Sequence, residues 1–412
     1  MARIVLLLPT GTYRAADFID AAAAAGAEVV VASNRRQALA ESMGDRAVVV
    51  DFARPEKAAA ALVELARQRP VDALVAVDDQ GVVAAAQAAA ELGLRHNSVD
   101  AVAATRDKAE MRRRFAAHAV AQPEFRIVEV DDGEARVRQV VAEVGLPVVV
   151  KPLSLSGSRG VIRADAGDEA VAAVARIRAI LACAEDETGG ADTLLIERYV
   201  PGEEVAVEGL LRRGELEVLA VFDKPDPLVG PFFEETIYVT PSRHPAEIVE
   251  SITASTASAA RALGLTEGPI HAELRVDGTR VTVLELAARS IGGLCARTLR
   301  FGMGVSLEEI IVRHALGLPL TDLNRQHAAS GVMMLPIPTA GTLIAVTGRD
   351  AAIGTPGIVG LEITIPTGRH VVPLPEGDRY LGFLFAVGST PQEVEASLRT
   401  AHARLDVAIR PT

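Results

Sequence analysis

The stretch HAELRVDGTRVTVLELAARSIGG, residues 271–293, decides the fold. It reads as two short strands joined at Asp277-Gly278, a dipeptide suited to tight hairpins because glycine tolerates positive φ. Glu273 falls on the first strand and Glu285 on the second, so pairing brings their carboxylates together. Facing carboxylates repel, and the arrangement gains a purpose when a cation lies between them. A hard divalent ion such as Mg2+ takes one or two carboxylates together with phosphate oxygens. Arg289 follows where the second strand gives way to a Gly-rich turn, and its guanidinium can meet the charge on a transferring phosphoryl group. Taken alone, the same stretch also reads as an exposed hairpin with solvated charges. His271 reads as a hairpin packing residue rather than a base.

Composition bounds the rest. A chain of 412 residues has room for two or three domains and a large core. Apolar residues make up 49% but aromatics only 3%, with no Trp, so Ala, Val and Leu must fill that core. A formal net charge of −12 opposes a nucleic-acid protein, which needs a basic face. It leaves small anionic ligands open, since local Lys, Arg and backbone N–H groups suffice to hold them. Cys183 and Cys295 lack metal spacing and suit a reducing cytoplasm. The apolar run Ile4–Leu8 stops at Pro9, too short for a signal segment or a membrane span. The expectation is a soluble, cytoplasmic protein.

Outward from the hairpin, residues 1–95 alternate apolar strands (3–8, 28–32, 47–50, 73–77) with helical patterns (15–25, 55–67, 82–92). That alternation predicts a Rossmann-like parallel α/β layer. The first turn, Pro9-Thr10-Gly11-Thr12-Tyr13, lacks G-x-G-x-x-G, so no dinucleotide is inferred. Asp78 and Asp79 follow a strand end, where open sheets bind ligands. Capping the next helix is the plainer role, and Asp79 is kept as a contact for a substrate amine. Ala101–His118 reads as one helix bearing Arg106, Lys108, Arg112, Arg113 and Arg114, mostly a solvated face. Lys151 closes the apolar strand Val148–Pro152, where an amine has little to pair with until an anionic ligand arrives. The loop Ser156-Gly157-Ser158-Arg159-Gly160 can wrap phosphates with N–H and hydroxyl groups, although it is no Walker A loop.

Val171–Ala182 reads as a helix, and Cys183–Asp192 as a polar connection. Leu194–Val200 is a strand that becomes an extended segment, leaving backbone groups for a purine edge and Glu204 for ribose hydroxyls; a hinge with solvated acids is the alternative. Asp223–Tyr238, rich in Pro, Phe and acids, suits a loop covering a substrate. Helices are expected at Pro245–Leu263 and Val305–Leu316. From Gly331 the pattern turns strand-rich and closes with a helix at Pro391–Leu405. This tail reads as a small α+β lobe, packed onto the site or used in dimerisation.

Together these pieces resemble the ATP-grasp superfamily. The matching run begins at Arg106-Asp107-Lys108 and passes through Val150-Lys151-Pro152, the Ser156–Gly160 loop, Glu197-Arg198-Tyr199-Val200 and Gly202–Gly209 to Glu273, Glu285 and Arg289. The resemblance implies four regions: a Rossmann-like domain (1–95), two ATP-grasp subdomains (96–188 and 189–320) and a C-terminal α+β lobe (321–412). It implies ATP phosphates on Lys108 and Lys151 under a flap of Ser156, Gly157, Ser158 and Gly160. Adenine would lie on Glu197, Tyr199 and Val200, ribose on Glu204, Mg2+ or Mn2+ on Glu273 and Glu285, and the acyl phosphate against Arg289. Where many relatives carry Glu-x-Asn, this chain has Glu285-Leu286-Ala287, and Ala287 cannot coordinate. That departure, the Ala-Ala-Arg-Ser-Ile-Gly-Gly run, Phe233–Thr236 and the tail are similar to the L-amino acid ligase branch, in which Gly292 and Gly293 would face the substrate carboxylate. The implied activity is ADP-forming ligation of a small carboxylate to an amine, both amino acids. No nucleic acid or membrane is expected, and a homodimer is the default assembly. A nucleotide-biosynthesis or carboxylation ligase, or an ATP-binding regulatory protein without turnover, would share the nucleotide site.

Overall fold

The structure, a computed structural model, describes residues 1–36, 44–184, 193–320 and 322–411. Strands β1 (Arg3–Leu7), β2 (Glu28–Ser33), β3 (Ala47–Val49) and β4 (Ala73–Ala76) form a parallel sheet in the order β3-β2-β1-β4. Every residue of β1 is buried because helices cover both faces, which is why it reads as a continuous apolar run. Ile4 and Leu6 enter one apolar cluster with Phe18, while Val5 and Leu7 enter another with Leu62 and Ala85. The loops after these strands open onto the site.

The single helix expected over Ala101–His118 is two, Val99–Arg106 and Lys108–Ala117. Asp107 breaks it: the backbone there is extended, and its carboxylate accepts from the N–H groups of Ala109 and Glu110 as an N-cap. The break turns Lys108 and Arg112 inward, and both are buried.

A second sheet, antiparallel, contains β5 (Phe125–Glu129), β6 (Val148–Pro152), β7 (Ile162–Ala164) and β8 (Thr193–Arg198) in the order β5-β8-β6-β7. Helices Glu134–Val144 and Gly167–Cys183 cover it through a core of its own, including Val137, Val141, Ile177 and Ile196. We call this unit the lid. The polar connection expected after Cys183 lies outside the described residues from 185 to 192.

The third sheet carries the hairpin. Its strands are β9 (Glu203–Arg212), β10 (Glu215–Asp223), β11 (Ile237–Thr240), β12 (Gly268–Asp277) and β13 (Arg280–Ala287). Beyond the two-residue strands β14 (Arg300–Phe301) and β15 (Val305–Ser306) come β16 (Ala329–Leu335), β17 (Gly341–Thr347), β18 (Ile358–Ile363), β19 (His370–Val371), β20 (Gly382–Gly388) and β21 (Asp406–Arg410). Eight of these make one sheet, β13-β12-β9-β10-β11-β16-β20-β18. The tail is therefore no free-standing lobe. The loop expected to cover the substrate ends in β11, and β16 pairs with β11 to continue the sheet. Only β17, β19 and β21 form a separate small sheet. Such pairing between distant segments leaves no local trace in a sequence.

Candidate functional site

Glu273 and Glu285 are direct cross-strand partners in the β12–β13 hairpin. The register then slips, with Leu274 opposite Val283, so Leu284 forms a bulge. Its carbonyl accepts a 2.6 Å hydrogen bond from Arg112. Both carboxylates line a cavity of about 1460 Å³ bounded by the parallel layer, the lid, the hairpin sheet and residues 378–380. Each already has a cation of its own. Lys108 Nζ lies 3.2 Å from Glu285 and donates to the Leu155 carbonyl at 2.9 Å. Glu273 faces Lys224 at 3.7 Å and His271 Nε2 at 3.6 Å.

Lys224 is the centre of a buried cluster. Its ammonium meets Glu204 at 2.7 Å, pairs with Glu235 and Glu273, and stands over the Tyr238 ring. Burial alone would lower its pKa, but the three glutamates hold it well above the usual lysine range. The second oxygen of Glu204 takes Arg275 at 3.0 Å, which also donates to the Tyr199 hydroxyl and the Val200 carbonyl at 2.9 Å. Ligand oxygens of Glu204, Glu235 and Glu273 fall within 4.8 Å of one another. With Glu285 they offer the all-oxygen donor set that suits a hard divalent ion, so Mg2+ or Mn2+ fits the residues present. Ala287 lines the cavity without a donor.

Glu197, expected to hold adenine, has its carboxylate committed elsewhere. Arg112 Nε donates to it at 2.5 Å and Lys151 pairs with the other oxygen. At 2% exposure a carboxylate needs such partners, and their charges keep its pKa below the usual range despite burial. Burial lowers the Lys151 pKa against the pull of Glu197. In the flap, Ser156, Gly157 and Ser158 line the cavity, with positive φ at Gly157 (64°) and Ser158 (57°). Gly160 does not. Its N–H donates to the Pro375 carbonyl at 3.0 Å, and a Cβ added there would come within 3.3 Å of the Pro152 ring. The lid is thus fastened to the tail, an attachment extended by Arg176 and Glu376 at 2.5 and 3.0 Å.

Asp79, expected to meet a substrate amine, is enclosed by guanidinium groups. Arg289 donates to it at 2.8 Å and Arg106 lies 3.4 Å away. Burial would raise its pKa, but these two arginines hold it far below the carboxylate range. Gly292 and Gly293 do line the cavity, as do Tyr199 and Val200.

Residue reading overlooked a second tier. His271 is no packing residue: it lines the cavity, and its Nδ1 lies 2.6 Å from Glu208, which also accepts from the Ile291 N–H. Burial disfavours the imidazolium, yet Glu208 and Glu273 push its pKa up to about 9. The signal for this pair was present, since Glu208 interrupts the apolar strand Val205–Leu211 and is fully buried. Lys224 and Glu235 carried no such mark, because Asp223, Asp226, Glu234 and Thr236 make them ordinary members of a polar stretch. Arg275, by contrast, stands between Leu274 and Val276 and carried the same signal as Glu208.

Comparison with known proteins fits this geometry. Residues 144–298 match the ATP-grasp domain family, 19–96 the ATP-grasp N-terminal domain and 333–410 the L-amino acid ligase C-terminal domain 2. The chain is 26% identical over 306 residues to the uncharacterized protein y4rH of Sinorhizobium fredii, covering 74% of this chain and 61% of that one. It is 26% identical over 267 residues to the alanine–anticapsin ligase of Bacillus subtilis, covering 61% of this chain and 55% of that one. These curated relatives are thus matched over somewhat more than half their length. The fold of the L-amino acid ligase from Bacillus licheniformis superposes with a TM-score of 0.84 at 22% identity, over 100% of this chain and 99% of that one. Around a cavity walled by the lid and the hairpin sheet, this chain thus carries ATP-grasp N-terminal and ATP-grasp domains followed by an L-amino acid ligase C-terminal domain 2.

Proposed function

We propose that the protein is an ATP-dependent, ADP-forming ligase that joins two L-amino acids through an acyl phosphate. The observation that carries this is the convergence of Lys108, Lys151, Glu273, Glu285 and Arg289, drawn from three layers of the molecule, on one cavity. A carboxylate is a poor electrophile because its oxygen is a poor leaving group. Transfer of the γ-phosphoryl group of ATP to that oxygen gives an acyl phosphate and ADP. The second substrate's amine attacks the carbonyl carbon, phosphate leaves, and the amine proton passes to solvent or phosphate.

In this reading Lys108 and Lys151 exchange Glu285 and Glu197 for ATP phosphates, beneath the N–H and hydroxyl groups of Ser156, Gly157 and Ser158. Adenine lies by the Tyr199–Val200 backbone, and Glu204 reaches ribose. Arg289 turns from Asp79 to the acyl phosphate and its tetrahedral adduct. Glu273 and Glu285 would hold Mg2+ or Mn2+, which when bound supplies charge neutralisation at the phosphoryl oxygens. The flap, tied to Pro375, keeps water from the activated acyl group. Among the described residues no helix is long and apolar enough to cross a membrane.

The test is release of ADP and phosphate that requires both an amino-acid pair and Mg2+, with the product identified by mass. Release of AMP and pyrophosphate would reject the mechanism. ATP binding without turnover on any pair would favour a regulatory role.

A further inference from the structure

One part of the cavity wall is built differently from the rest. Tyr13, Tyr238, Ile291, Cys295, Met334 and Tyr380 line the cavity, and they meet the charged cluster where the Lys224 ammonium stands over the Tyr238 ring. These residues belong to, or pack on, a single apolar cluster that also contains Phe383. Tyr13 and Tyr380 meet the Phe383 ring edge-on, with centroids 5.4 and 6.0 Å apart. The hydroxyl oxygens of both tyrosines are shut off from solvent, so the rings present carbon to the space. The chain has only four tyrosines and no Trp, yet all four tyrosines line this one cavity. Core side chains that face a void forgo dispersion contacts, which a ligand of matching character restores.

Gly292 borders this end, and a Cβ built on it meets no atom within 4 Å. Its φ lies outside the left-handed region, so a side chain fits there without backbone strain, and its absence leaves the space open. At Gly293, by contrast, a Cβ would come within 2.9 Å of Phe383.

We propose that this apolar end is the side-chain pocket for a bulky apolar amino acid, aromatic, methionyl or branched aliphatic, and that Gly292 keeps it open. The proposal rests on the amino-acid ligase reading. Extra buried methylenes discriminate by tens of fold in such pockets, so amino-acid pairs containing L-Phe, L-Leu or L-Met should exceed pairs made only of L-Ala, L-Ser and Gly by about 10-fold or more in kcat/KM.

The experiment is a phosphate-release panel over all pairs of these six amino acids with the full chain, ATP and Mg2+. It is repeated with Gly292→Leu, whose side chain would fill the pocket and reverse the ranking. Small amino acids used as well as the bulky ones, or an unchanged ranking in a folded Gly292→Leu variant, would overturn the pocket. Calorimetric binding of L-Phe and L-Ala to the wild-type chain, in the presence of a non-hydrolysable ATP analogue, separates the two readings. No phosphate release from any pair defeats the ligase assignment, while L-Phe binding about 10-fold tighter than L-Ala would still support the pocket. Equal or weaker L-Phe binding overturns it.

Discussion

The two ends of the cavity solve opposite problems. At the polar end nearly every charge is already matched: Lys108 with Glu285, Lys151 with Glu197, Lys224 with three glutamates and Arg289 with Asp79. At the apolar end the wall is mostly ring, sulfur and aliphatic carbon, and it meets the charged cluster where the Lys224 ammonium stands over the Tyr238 ring. Reactants reaching the first end must exchange partners, so binding there is a difference between two sets of ion pairs. Ligands reaching the second end displace nothing but water and are sorted by size. The contrast suggests that chemistry resides in the one and selectivity in the other.

The largest effect should come from removing a polar-end group that the proposed reaction sets against ATP or the acyl phosphate. Glu285→Ala and Arg289→Ala should each lower phosphate release by about 10²–10³-fold. The unfolding midpoint should stay within a few degrees of wild type, since Asp79 retains Arg106 at 3.4 Å. Near-normal turnover in either variant would dissolve the division of labour. Next in size, Lys224→Met leaves Glu204, Glu235 and Glu273 without their shared cation. Urea denaturation should register a loss of about 3–5 kcal/mol, the cost of stranding buried charge. A neutral result would mean that these acids reach water.

A smaller, pH-dependent effect follows from His271. Its pKa rises from 6.5 to about 9 in the folded protein, so the stabilisation is complete below about pH 6.5 and fades as pH climbs through about 9. The melting temperature of metal-free protein should therefore fall by several degrees between pH 6.5 and 9.5. His271→Gln should flatten that slope, and an equal slope in both proteins would place the imidazole in a neutral setting. Smallest is Asp107→Ala, which removes only the cap between the two helices. It should cost about 1 kcal/mol by denaturant unfolding, with some loss of activity because Lys108 starts the second helix.

The same contrast explains what was legible. Polar-end residues announce themselves by chemistry out of place: Lys151 at the close of an apolar strand, acids paired across a hairpin, a Ser/Gly loop between strands. Their partners were harder to see, because Asp79 and Arg289 are 210 residues apart and meet only through packing of separate layers. Gly160 shows the limit of motif reading: it belongs to the flap in sequence but turns to the Pro375 carbonyl in space. The apolar end was invisible, since Tyr13, Tyr238, Ile291, Cys295, Met334 and Tyr380 are unremarkable core residues drawn from scattered segments. The parallel layer and the existence of the hairpin were legible because periodicity is local. The hairpin register was not: Asp277 pairs with Arg280, so the turn lies at Gly278-Thr279, and the bulge at Leu284 is what sets Glu273 opposite Glu285. Nor was the joining of β16 to β11 legible, for the converse reason to the parallel layer.

That last pairing bears on how the gene can be cut. A chain stopped near residue 320, where composition suggests a boundary, would keep β11 but lose the neighbour that takes up its N–H and C=O groups. The raw edge would lie beside apolar side chains that β16 and β20 normally cover, a template for sticking to other copies. Shortened versions made for crystallisation or display should therefore precipitate, whereas fusions appended after residue 412 leave the sheet whole.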